Sequence, residues 1–286
     1  MKVELENEKE KVVDNKLKIF YIVIISICII AIATAIFLQI KGNKEQIKQP
    51  ALPSNPEQQV GDSKEQFNSI FKNQVNYMEN NSYKITKIEQ DKEIIYTGYK
   101  DDNKKVNDYE LNVNIPYINI KNDKTIEKFN QEIRDTFEKK AKSVLNTQNN
   151  NVIYTVNYSA YVTNNILSLV VRSTLKEGNN PQRDIVQTYN YDLTNQREIT
   201  VQDILELKGI TKQEANKKIK DEIKKVQETV EELANLGYSV YSRDYESDIY
   251  SINNVSEYFI GENNALYIIY AYGNENHTSE MDIVVM

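Results

Sequence analysis

A long apolar run dominates the N-terminal part of the chain. From Ile19 to Leu38, twenty consecutive residues carry no charged side chain. An α-helix rises about 1.5 Å per residue, so a run of this length crosses a hydrocarbon core of about 30 Å. The pattern therefore predicts a single transmembrane helix over residues 19–40.

The charges beside this run indicate its orientation. Five lysines precede it, and three follow it within a similar distance. Cytoplasmic flanks of membrane helices carry the excess of Lys and Arg. We therefore expect a cytoplasmic tail at residues 1–18 and an extracytoplasmic C-terminal part, in a single-pass protein of the cell membrane.

A cleaved signal peptide is the alternative interpretation of the same run. Ala31-Ile32-Ala33 and Ala33-Thr34-Ala35 both match the small-x-small pattern of a cleavage site. The apolar run continues through Ile36, Phe37 and Leu38, where a polar cleavage region would begin. This continuation favours an uncleaved anchor.

A polar connector follows the run at residues 41–63. Pro50, Pro53 and Pro56 recur every three residues among Gln, Asn and Lys, which favours extended chain. The pattern predicts a spacer and a folded part that starts near residue 64. We expect that part to contain two α+β lobes, at residues 64–196 and 197–286.

Short runs of β-branched and aromatic residues, separated by charged or Asn-rich turns, predict strands in the folded part. Adjacent strands are expected to pair antiparallel. The predicted strands are 83–89, 94–99, 109–120, 153–162, 166–175, 185–193, 255–260, 265–271 and 281–285.

Apolar residues at intervals of three and four predict two amphipathic helices. The first follows a cap at Asn122 or Asp123 and buries Ile126, Phe129, Ile133, Phe137, Ala141 and Val144. The second follows a Thr211–Glu214 capping box, ends near Gly237 and buries Ala215, Ile219, Ile223, Val226, Val230 and Leu233. A short helix precedes it; Thr200 with Asp203 forms a variant of the capping box at its start, and it runs through Leu207. The fold class is therefore α+β, mainly antiparallel sheet with two amphipathic helices.

The amino-acid composition excludes several kinds of functional site. The chain has 35 Lys and Arg against 42 Asp and Glu, which argues against nucleic-acid binding, and it has a single His and a single Cys. These counts exclude a His/Cys zinc framework and an intramolecular disulfide. No glycine run matches a phosphate-binding loop. We expect no cofactor, no metal and no catalysis; a hydrolase is the less favoured alternative because no acid–base constellation emerges.

One tyrosine-rich segment is the candidate partner-binding surface. The sequence SVYSRDYESDIY interleaves aromatic and charged residues in a predicted loop after the second helix, and loops of this composition contact partners. The predicted partner-binding residues are Tyr238, Tyr241, Arg243, Tyr245 and Tyr250. For tyrosines elsewhere, packing within the predicted sheet is the favoured interpretation.

Three segments carry a resemblance to known proteins. They read YELNVNIPYINIKNDKTIEKFNQEI from Tyr109, YNYDLTNQREITVQDIL from Tyr189 and EYFIGENNALYIIYAYGN from Glu257. In this order they resemble the exported domain that RsiV-type anti-sigma factors share with the non-catalytic region of the peptidoglycan deacetylase PdaC. The resemblance covers residues 83–286.

The resemblance implies a membrane-anchored, non-catalytic, extracytoplasmic ligand-binding protein. For the RsiV branch it implies a sensor that binds lysozyme and releases a sigma factor after proteolysis. The alternative is a binding module for cell-wall polymer. The chain after Lys41 carries 29 basic and 37 acidic side chains; this charge either steers a basic protein such as lysozyme or only promotes solubility.

A sigma factor would have to contact the predicted cytoplasmic tail. A standard interface buries about 800 Å² per partner over roughly 20 to 30 residues. The tail has 18 residues, and its apolar side chains are Val3, Leu5, Val12, Val13 and Leu17. The tail alone therefore supplies less than a standard interface.

Overall fold

The computed structural model describes residues 62–72, 93–238, 240–271 and 280–286. Several predicted features lie outside these residues: the cytoplasmic tail, the membrane span, nearly all of the linker and the strand at 83–89. The single histidine of the chain, His277, lies outside them too. None of the helices in the described part of the chain is long and apolar enough to cross a membrane.

Six segments form a large sheet whose strands are arranged in chain order. The strands are β1 Ile95–Lys105, β2 Tyr109–Ile118, β3 Val152–Thr163, β4 Ile166–Glu177, β5 Arg183–Asp192 and β6 Arg197–Glu198. All neighbouring pairs are antiparallel except β2–β3, which is parallel. A parallel pair needs a long crossover connection, and the segment between β2 and β3 provides it as a helix.

A cap at Asp123 starts the crossover helix. Its carboxylate accepts hydrogen bonds from the backbone N–H groups of Thr125 and Ile126, at 2.9 and 3.1 Å. The helix runs as α2 Lys124–Ile133, a π-helical turn Arg134–Glu138 and α3 Lys139–Val144. The apolar positions that the sequence predicts for this helix are all buried against the large sheet; the π turn is not predicted.

Three C-terminal strands form a second, antiparallel sheet, in which β7 Glu257–Ile260, β8 Leu266–Ala271 and β9 Met281–Val285 lie in chain order. One face packs against helices α4 Val201–Lys208 and α5 Lys212–Asn235. Both helices begin with the predicted capping boxes, at Thr200 and Thr211.

The other face of the small sheet packs against the large one. Phe259 and Tyr267 stack with ring centroids 4.5 Å apart, and they share a buried cluster with Tyr161 and Val170 of the large sheet. Helix α1 Asp62–Lys72 adds Phe67 to this cluster. This contact lies on the face of the large sheet opposite α2, because Val170 alternates along β4 with residues buried under that helix.

The structure confirms an α+β fold with a mainly antiparallel sheet. It differs from the prediction at two positions of the second amphipathic helix: Val226 is only half-buried, and Leu233 is 38% exposed, although the helical spacing predicts burial of both. The buried side of α5 is completed instead by Glu222 and Gln227. The division into lobes at residue 196 stays a prediction.

Candidate functional site

The C-terminal end of α5 presents apolar side chains to solvent. Leu236 is 75% exposed and Tyr238 is 64% exposed. Gly237, at φ +88°, turns the chain there, and the backbone N–H of Tyr238 donates to the carbonyl oxygen of Leu233 at 3.1 Å. The turn therefore holds Leu233, Leu236 and Tyr238 together at the end of the helix.

The same end of the helix carries three glutamates. Glu228, Glu231 and Glu232 lie among the last eight residues of α5, and the last turn contains no basic residue. Glu228 and Glu232 form no ion pair with any residue that the structure describes. A helix C-terminus already carries partial negative charge, so three glutamates near it are repelled by the helix end, and this repulsion destabilises the unbound protein. We call these six residues the acidic tip: Glu228, Glu231, Glu232, Leu233, Leu236 and Tyr238.

The predicted loop after α5 is fixed by a buried ion pair. Arg243 donates from Nε to both carboxylate oxygens of Asp282, each at 2.8 Å, and the two side chains are only 5% and 4% exposed. Tyr250 is 1% exposed and donates its hydroxyl proton to the same carboxylate at 2.9 Å. Burial lowers the pKa of Arg243, but the hydrogen bond and charge of Asp282, together with Tyr250 and Glu280, raise it on balance.

The five predicted partner-binding residues therefore have different environments. Arg243 and Tyr250 lie inside the protein and hold the loop against β9. Tyr241 and Tyr245 are half-buried, and cations lie over their rings: the Arg243 guanidinium 5.4 Å from the Tyr241 centroid, and the Lys224 ammonium 5.9 Å from that of Tyr245. Tyr238 is the member with a largely exposed side chain. Their role in partner binding stays a prediction, and exposure favours Tyr238.

Sequence reasoning missed most of the acidic tip. The spacing of Leu233 places it on the apolar face of the helix and so predicts burial. Spacing does not show where along the helix the hydrophobic core ends, and Leu233 lies beyond that point. The missing basic residue in the last turn and the three glutamates were visible signals, since C-terminal turns favour Lys and Arg.

The described part of the chain contains few side chains that could form a catalytic or metal site. No group of three or more His, Cys, Asp or Glu side chains lies close enough there to hold a metal ion.

Burial raises the pKa of Glu257 to about 6, although hydrogen bonds from Thr188 act in the opposite direction. This carboxylate lies at the junction of the two sheets and accepts from the backbone N–H and the hydroxyl of Thr188 at 2.7 and 2.6 Å.

Comparison with known proteins yields structural similarity only. No protein-family model matches the chain, and no curated protein matches it. Two solved structures that resemble it are of DUF3298 family proteins. One, from Pseudomonas aeruginosa PAO1, has 11% identity and a TM-score of 0.38 over 66% of this chain and 85% of its own. Another, from Bacteroides fragilis NCTC 9343, has 12% identity and a TM-score of 0.34 over 62% of this chain and 80% of its own.

Proposed function

We propose that this chain is a membrane-anchored, non-catalytic, extracytoplasmic protein that binds a basic protein ligand at the acidic tip. The observation that carries the proposal is the exposure of Leu236 and Tyr238 at a helix end that carries three glutamates. An exposed apolar group with a charged rim is the arrangement of an interaction site, in which an aromatic or aliphatic anchor is buried on binding.

The negative charge of the acidic tip favours a basic ligand. The tip concentrates carboxylates where the helix terminus adds its own negative potential. A basic partner would relieve this repulsion and would associate faster at low salt. Lysozyme is the basic ligand that the resemblance to RsiV-type proteins suggests, and a sigma factor bound to residues 1–18 is the cytoplasmic partner that it suggests.

Calorimetric titration of the full-length chain in phosphatidylcholine nanodiscs with hen-type lysozyme tests this proposal. We expect saturable binding with a defined stoichiometry that persists at moderate salt. Attraction that disappears when salt is added would be nonspecific pairing of an acidic and a basic protein, and would contradict the proposal. Absence of binding at both low and moderate salt would exclude lysozyme as the ligand.

Two matched substitutions locate the binding surface. Leu236→Ser removes an apolar side chain from the tip, and Leu207→Ser removes one that is 68% exposed at the end of α4. We expect Leu236→Ser to weaken binding about tenfold or more, as for an interface anchor, and Leu207→Ser to leave it unchanged. Equal effects would place the ligand elsewhere.

A further inference from the structure

A polar cavity lies on the face of the large sheet opposite α2. Its volume is about 420 Å³, within the range of roughly 300 to 1,000 Å³ that small-molecule sites occupy. Paired residues of β3 and β4 form the floor, because Thr155 lies opposite Thr174, and Asn157 lies opposite Arg172. Helix α1 supplies one wall. The lining residues are Asn68, Phe71, Thr155, Asn157, Arg172 and Thr174.

The floor of this cavity has unused hydrogen-bonding capacity. The side chains of Thr155, Asn157 and Thr174 form no hydrogen bond with any residue that the structure describes. The Nε of Arg172 also has no partner among the described residues, but it is buried, so a ligand oxygen has no access to it. The polar groups that a ligand would contact are therefore the hydroxyls of Thr155 and Thr174 and the amide of Asn157.

The remaining donors of Arg172 fix its orientation. Its Nη1 donates to Oδ1 of Asn68 at 2.7 Å, and its Nη2 donates to Oδ2 of Asp184 at 2.6 Å. The Asp184 side chain is 3% exposed, so the carboxylate stays beside the guanidinium and compensates its charge. The cavity is therefore not a site for an anion; it favours an uncharged ligand with many oxygen atoms.

An aromatic ring completes the site. Phe71 is half-buried, its ring lies 5.8 Å from the guanidinium carbon of Arg172, and it packs edge-on against Phe67 with centroids 5.2 Å apart. The site therefore combines an aromatic ring with a polar floor. A hydroxyl-rich ligand with an apolar face fits this combination, since its C–H groups would contact the ring and its hydroxyls would reach the floor. An extended peptide would use the same polar groups, but no deep apolar pocket in this lining would take its side chains.

We propose that the cavity floored by Thr155, Asn157, Arg172 and Thr174 binds an uncharged carbohydrate. The site lies on β3, β4 and α1, whereas the acidic tip lies at the end of α5. The inference is therefore independent of the proposed protein ligand, and substitutions at one site test it without altering the other.

Titration of the full-length chain with a β-1,4-linked N-acetylglucosamine tetramer tests this inference. The chain is held in phosphatidylcholine nanodiscs, because sugar-based detergents would compete for the site. We expect saturable binding that is weakened about tenfold by Asn157→Ala and by Thr174→Val, as for the loss of one hydrogen bond.

The matched control is Asn103→Ala, which makes the same change at an exposed position on β1, outside the cavity. It should bind the tetramer as the unmodified chain does. Lack of saturable binding would overturn the inference, as would equal affinities for Asn157→Ala and Asn103→Ala. Tighter binding of an uncharged Thr/Asn/Gln peptide than of the tetramer would also overturn it, in favour of a peptide site.

Discussion

Arg243 and Asp282 form a buried, doubly hydrogen-bonded ion pair between the loop after α5 and the last strand. Both contacts are 2.8 Å, and the residues are 39 positions apart in the sequence. The guanidinium also donates from Nη1 to the carbonyl oxygen of Tyr241 at 2.7 Å. The pair therefore determines where the loop that follows the acidic tip meets the body of the protein.

Removal of one partner should be strongly destabilising. Arg243→Ala leaves the Asp282 carboxylate buried without its cation, and we expect a loss of about 3 to 5 kcal/mol in the free energy of unfolding. The control is Arg183→Ala, which breaks an ion pair with Glu177 in which the arginine side chain is half exposed. That change should cost less than about 1 kcal/mol. Urea denaturation monitored by circular dichroism measures both, and similar values would contradict a stabilising role for the buried pair.

The hydroxyl of Tyr250 should contribute through the same carboxylate. Tyr250→Phe removes a hydrogen bond to an ionised acceptor, which typically contributes about 1.5 to 3 kcal/mol. Tyr270→Phe is the matched control, because the hydroxyl of Tyr270 donates to the neutral carbonyl of Ser251 at 3.0 Å. Its loss should cost about 1 kcal/mol. A larger effect for Tyr270 in the same denaturation assay would refute this ranking.

Local chemistry explains how much of the fold was predictable. Asp123, Thr200 and Thr211 cap their helices as predicted, because each cap depends on side chains within three residues. The strands of the described residues also lie near their predicted positions, since alternation and β-branching act locally. The parallel pairing of β2 with β3 was not predicted, because it depends on how the crossover helix packs.

The candidate site was harder to predict for the same reason. The pattern of aromatic and charged residues identified the loop that contains Arg243 and Tyr250, but their burial depends on Asp282 in the last strand. No local pattern connects positions that far apart. The cavity beside Arg172 was not predicted either, because α1, β3 and β4 meet there only in the folded protein.

The pKa of Glu257 predicts a specific dependence of stability on pH. Burial raises this pKa from 4.5 to about 6, so between these values the folded state binds more protons than the unfolded state. The contribution of this group is full below about pH 4.5 and is lost as the pH rises through 6. Glu257→Gln should therefore stabilise the protein relative to the unmodified chain more at pH 7 than at pH 4.5, by up to about 2 kcal/mol.

Denaturation at several pH values measures this difference. Leu207→Ser is the control, because it replaces one exposed, non-titrating side chain with another and should shift stability by the same amount at every pH. A Glu257→Gln difference that stays constant between pH 4.5 and 7, or that decreases with pH, would show that desolvation does not dominate at the sheet junction.

Gly98 lies where the pairing of β1 with β2 shifts by one residue, between Thr97 and Tyr99, and we expect glycine to be required there. An added Cβ would lie 2.1 Å from Cδ2 of Tyr117. That ring is held by a hydrogen bond to Glu138 and by the Arg134 guanidinium, 5.2 Å from its centroid. Gly98→Ala should therefore cost about 1 to 3 kcal/mol, as overpacking does.

The double variant Gly98→Ala/Tyr117→Ala separates this clash from a backbone effect. With the ring removed, the Gly98→Ala change should cost much less than it does in the unmodified chain, and a thermodynamic cycle from urea denaturation gives the coupling. Additive effects of the two substitutions would mean that the ring yields without cost and that the close approach is not a constraint.

Hydrogen exchange of the full-length chain, with and without saturating hen-type lysozyme, tests the central claim most directly. The chain would be held in phosphatidylcholine nanodiscs, and backbone amide protection would be compared segment by segment. We predict that bound lysozyme slows exchange at residues 228–238, which contain the acidic tip. Unchanged exchange in this segment while lysozyme is bound, or protection confined to other segments, would contradict the account.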